Sequence, residues 1–193
     1  MTETGQNAIS VSARPFGPYA LIRNSLDCSV LAFWLLNPNR REDRLRRRLQ
    51  IEKDEAHKSK QARDSLGQGP ADWFAARTAG IDAIASAAEI SNIGRIESTT
   101  RMLDELEEHP DLKEMLIKGT WQVCSGLAHG KMWASLAAHG LETVGHDAEA
   151  RESEVKMTIS YTALAVYAGT AVVLAERVAG LLGSRAKNHL SGQ

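Results

Sequence analysis

The sequence is poor in cysteine, in aromatic residues and in net charge, and it has no long uninterrupted apolar run. Two cysteines in 193 residues, Cys28 and Cys124, make neither a disulfide framework nor a CxxC metal knuckle. Both stand in apolar helical contexts, where a free thiol is expected to act as a small hydrophobe. A net charge of -1 argues against a strongly electrostatic nucleic-acid coat and against a membrane-surface protein, though not against a local basic patch. No run reaches the roughly 18 apolar residues of a membrane span. The amino terminus lacks the apolar segment of a signal peptide. These absences point to a cytoplasmic protein with no membrane partner. Strand-like alternation is also lacking, and the β-branched residues look scattered, so no convincing strand is expected.

What is present is an ordinary globular composition, 43% apolar and 24% charged, in a chain long enough for one core. Residues 1–17 form a polar lead-in. From Pro18 to Leu36 the pattern is helical, and Val30 to Leu36 is apolar all round, which predicts a central buried helix. Asn37-Pro38-Asn39 ends it, because the residue before proline resists helical dihedrals. Asn39 is expected to cap the next helix, which runs to Gly67 over roughly 40 Å. Only Leu45, Leu49, Ala56 and Leu66 stripe it, among dense charge. Gly67–Pro70 reads as a turn. A further helix follows to about Ile90, carried by Phe74, Ile81, Ile84 and Ala88. Glu97–Glu108 is a short amphipathic helix. Another starts at Pro110 and runs into WQVCSGLAHGKMW, Trp121 to Trp133. The stretch from Ala138 to Glu154 reads as a polar connector or the start of a surface helix. A last apolar helix runs from Lys156 to about Leu182, is stopped by Gly183, and leaves 184–193 as a tail. The fold expected is all-α, a single domain over 18–183. It is a bundle of four or five core helices with one long charged helix. A thin apolar stripe on so long a helix suggests a covering partner, most simply a second copy in a homodimer.

Polar groups inside apolar helices cost free energy unless paired, so they are the site candidates. Arg23 and Asp27 stand four apart on one face of the first helix, as an ion pair or as a pocket lining. Ser125 and His129 share a face in the same way, and the hydroxyl can set the imidazole tautomer. Gly126 and Gly130 flank them and permit close approach of a helix or ligand. If the two helices pack together, a cation, a carboxylate and an imidazole converge, a set suited to acid–base work or phosphate handling. A serine hydrolase is a poor fit, since GxSxG is missing and Ser125 and His129 lie on one helix. Cys124, His129, His139 and His146 match no common metal-ligand spacing, and HExxH is absent, so neither metal nor cofactor is expected.

The cluster Arg40, Arg41, Arg44, Arg47 and Arg48 reads either as a solvated face or as a phosphate-gripping patch for RNA. No aromatics interleave with it, so base stacking has no support there.

Two motifs carry a resemblance. Arg23 and Asp27 followed by Trp34, Leu35, Asn37 and Pro38, and later Ser125, His129 and Gly130, resemble a group of actinobacterial helical proteins. Their pattern is R-x-x-x-[ED], W-L-x-[DN]-P, then L-S-x-x-x-H-G, and the likeness covers about two thirds of the chain. Cys124 stands where that pattern has leucine. More distantly the arrangement is similar to HEPN-type bundles of toxin and phage-defence systems, many of them dimeric, metal-independent ribonucleases. That resemblance implies His129 as the acid–base residue. The family's arginine, separated from the histidine by four to six residues, is replaced here by Gln122, Val123 and Cys124. Arg23 from another helix is the substitute the resemblance suggests, with Asp27 and Ser125 as its companions. The reading favoured is a non-catalytic bundle acting through protein contacts; RNA binding or cleavage is the alternative.

Overall fold

The computed structural model describes residues 16–68, 72–147 and 152–190. Among them are seven helices and one two-stranded ribbon: α1 (Gly17–Leu36), α2 (Arg41–Ser65), α3 (Asp72–Ala87), α4 (Thr99–Glu107), α5 (Ile117–Ala128), α6 (Met132–Ala138), β1 (His139–Asp147), β2 (Glu152–Ile159) and α7 (Tyr161–Leu190). The expected all-α bundle is the observed class. The lead-in before residue 16 lies outside the described residues.

Helix α1 is the central element. Tyr19, Ile22, Leu26, Val30 and Phe33 are buried at spacings of three and four, which places them on one face. That face packs against α4, α5 and α7. Leu103, Leu106, Ile117, Leu127 and Leu174 close the same core. Each fully buried leucine or isoleucine contributes about 2 kcal/mol of apolar transfer. A second, smaller core of Leu49, Ile81, Ala85, Ile90 and Ile93 joins α2 to α3. Ile84, expected inside, is exposed because it falls on the outer side of α3.

Four local expectations are corrected. Residues 139–159 form an antiparallel hairpin instead of a connector and a helix start, with His139 opposite Ile159 and Asp147 opposite Glu152. Consequently α7 begins at Tyr161, not Lys156. It also passes through Gly183 to Leu190. The chain after Pro110 makes turns up to Leu116, whose positive φ of 50° interrupts any helix before α5. Finally, α2 is not capped by Asn39: its N-cap is Arg40, without a side-chain cap. By contrast α4 is capped by Ser98, whose hydroxyl accepts from the Arg101 amide at 3.2 Å.

Candidate functional site

Packing of α1 on α5 brings the two polar pairs into one region but not into one cluster. Asp27 accepts a 2.6 Å hydrogen bond from the indole N–H of Trp121. Its other oxygen lies 3.7 Å from Arg23 Nε, a buried nitrogen that has no hydrogen-bond partner among the described residues. The Arg23 guanidinium sits 5.7 Å from the centre of the Trp121 ring. Arg23, Asp27 and Trp121 therefore form one inter-helix unit. Ser125 and His129 lie further along α5. Eight residues separate Trp121 from His129, about 12 Å of helical rise. The unit on α1 thus engages the tryptophan, not the imidazole.

His129 is the C-cap of α5 and is exposed. It opens onto a shallow groove of about 530 Å³ lined by Trp121, Gln122, Ser125, Gly126, Lys131 and Trp133. Gly126 is what allows this groove to form. A Cβ there would lie 2.6 Å from Ala134 Cβ and 2.8 Å from Trp133 Cζ2, so only glycine lets α6 and the Trp133 ring rest on α5. The sequence singled out Gly126 as a point of close approach but did not identify what approached. Trp133 is itself a site residue that periodicity alone did not reveal.

The arginine cluster is distributed over partners within the chain. Arg47 makes a bidentate pair with Glu105 on α4 at 3.0–3.1 Å, stacks 4.6 Å from the Trp34 ring centre and donates to the Trp34 carbonyl. Arg40 pairs with Glu42 at 2.6 Å, and Arg48 with Glu52 at 2.9 Å. Arg44 donates to the carbonyls of Pro38 and Asn39 at 2.7 and 2.8 Å. Burial and the neighbouring charges of Arg185 and Arg41 lower the Arg44 pKa. Arg41 alone of the five makes no ion pair or side-chain hydrogen bond among the described residues.

Sequence reasoning missed two further groups. Arg185, placed in the tail, reaches the carbonyls of Leu36, Asn37 and Pro38 at 3.1–3.3 Å and Asn39 Oδ1 at 3.2 Å. It satisfies the orphan carbonyls at the end of α1. Its only signal was a cation in the last turns of a helix. His139 is buried, with Nδ1 2.9 Å from the Ser135 carbonyl and its ring edge-on to Tyr19. Its Nε2 is buried without a partner among the described residues. The two cysteines differ, against expectation. Cys28 is exposed, whereas Cys124 is buried and its thiol is pushed up to about 11 by desolvation. Among the described residues no three His, Cys, Asp or Glu side chains cluster as metal ligands.

Helix α7 presents an unpartnered apolar face among the described residues. Ala171 and Leu174 are buried, while Tyr161, Val166, Val172, Val173 and Leu182 are exposed large apolar side chains. By length and composition Tyr161–Ala186 is apolar enough to cross a membrane, with a mean hydropathy of 1.5 over its most apolar window; 11% of that window is buried. No protein-family model, curated protein or solved structure significantly matches this chain.

Proposed function

We propose that this chain is a non-catalytic helical-bundle protein that acts through protein contacts, with a second copy of itself as the first partner. The observation that carries the reading is the outward face of α7, where Val172 is 56% exposed. On a helical wheel Ala165, Gly169, Val172, Ala179 and Gly183 share this face, interrupted by Glu176 alone. An apolar face about 27 Å long is a protein or membrane contact surface. Glu176 and Arg177, which pairs with Asp111, sit midway along α7. Charges at that depth are costlier in lipid than at a protein interface, where a polar partner or water can reach them. A face of small residues and valines is complementary to itself across a two-fold axis.

The test is mass by light scattering at micromolar concentration. The expected value is twice 21.0 kDa, and Val172→Glu is expected to give a folded monomer. A wild-type monomer, or a chain that sediments with phosphatidylcholine vesicles, would overturn the reading.

RNA binding or cleavage of the HEPN type, in a toxin or defence role, is the second reading. The single observation in its favour is His129 exposed beside Lys131 in an open groove. Against it, four of the five arginines are held by carboxylates or carbonyls of the chain itself. RNA affinity that falls steeply with salt would favour this reading over the first.

A further inference from the structure

The α5–α6 groove has features that a contact face does not need. Both of its indoles are held before any ligand arrives. Trp121 is fixed by its 2.6 Å hydrogen bond to Asp27. Trp133 is fixed by the missing side chain at Gly126, against which its six-membered ring lies. Trp133 nevertheless stays 52% exposed, and both rings line the same space of about 530 Å³. That volume falls within the range of small-ligand sites. Fixed aromatic walls lose little conformational entropy on binding, which favours a flat, apolar ligand body.

The polar lining has one sign. Lys131 carries a cation, His129 supplies a ring N–H, and Ser125 and Gln122 add neutral donors. Among the described residues no aspartate or glutamate lines the groove. Asp27, the nearest acid on α1, has one oxygen bound to the Trp121 N–H and the other facing Arg23. A cation at the rim and indole faces at the walls are complementary to a flat ring with an anionic substituent.

We propose that this groove binds a small aromatic molecule bearing one anionic group, with its ring against Trp121 and Trp133 and its anion at Lys131 and His129. The site stands independently of the α7 face, since none of its lining residues belongs to α7. Carboxylate and phosphate monoester are the two sources of that anion, and the experiment separates them.

The full-length protein is titrated by calorimetry with 2-naphthoate, with 2-naphthyl phosphate and with uncharged 2-naphthamide. Binding of at least one anion is expected, with the amide about tenfold weaker. The tighter of the two anions identifies the headgroup. Trp133→Ala is expected to weaken binding by about tenfold, and Lys131→Glu to abolish the preference for the anions over the amide. Both side chains are exposed, and circular dichroism checks that each variant is folded; should Trp133→Ala unfold, Lys131→Glu decides alone. Absence of heat with all three compounds, equal affinity for amide and anions, or an unchanged preference in Lys131→Glu would overturn the proposal.

Discussion

Helices α2 and α7 are the two longest in the molecule, and they expose opposite chemistry. Of the arginines opening α2, Arg40, Arg46 and Arg48 pair along their own helix, while Arg44 and Arg47 reach other elements. Its charge is therefore used within the chain. Helix α7 buries Ala171 and Leu174 against the bundle and leaves valines on the outside. Its apolar surface is only partly used within the chain. The contrast shows that a dense basic run is no sign of a nucleic-acid site when acids and open carbonyls lie within reach. It also shows that an apolar helix is no sign of a core when half of it finds nothing to pack on. The second long helix, not the first, is the better place to look for a partner.

That comparison can be broken most severely at the arginines that leave their own helix. Arg47→Ala removes a bidentate pair, a stack on Trp34 and a carbonyl contact, and leaves Glu105 half-buried without its cation. The expected cost is about 3 kcal/mol, read as a lower midpoint in urea. Arg185→Ala uncovers the end of α1 and is expected to cost about 2 kcal/mol. If Arg47→Ala is as stable as wild type, the view of α2 as an internally consumed charge set fails. Arg41→Ala, on the same helix but without such partners, is expected to stay within about 0.5 kcal/mol.

A comparison of similar size concerns the two cysteines. Burial pushes the Cys124 thiol up to about 11, from an ordinary value of 9.0. Because its folded value is raised, the unfolded chain loses its proton first as pH rises. Stability from this group is intact below pH 9 and falls between 9 and 11, by an amount on the order of 2 kcal/mol. Cys124→Ala is expected to flatten that part of the alkaline stability profile; an unchanged slope would count against the burial of the thiol. In the native protein at pH 8, a disulfide reagent should modify the exposed Cys28 rapidly and Cys124 only on unfolding.

Much of the helical framework was legible in the residues. The run from Val30 to Leu36 announced the central helix, and the amphipathic stretch Glu97–Glu108 announced α4. The hairpin was missed, although Val155, Met157 and Ile159 alternate with Glu154, Lys156 and Thr158, the period of two that marks a strand. The apolar helix that follows masked it, because the two patterns run together at Ser160. Gly183 looked like a stop signal. A glycine inside a helix costs only about 1 kcal/mol, and Arg185 beyond it ties α7 to α1. In the groove, Ser125, Gly126 and His129 could be picked out by spacing. Trp121 and Trp133 could not, since aromatic residues in an apolar helix are usually core.

By itself the sequence determined the all-α class, the buried central helix and the choice of Arg23, Asp27, Ser125 and His129 as polar groups set in apolar helices. Those follow from the local 3.6-residue period and from the cost of polar groups in apolar segments. The tertiary structure decided which partner each of them received. Asp27 meets Trp121 across 94 residues of chain, Arg47 meets Glu105 across 58, and Trp133 lies on Gly126 because two backbones approach closely. Such pairings depend on how helices cross, and neither residue carries a local mark of the other. The same crossing left the valines of α7 uncovered, which is why the molecule's unpaired surface could be recognised only once it was folded.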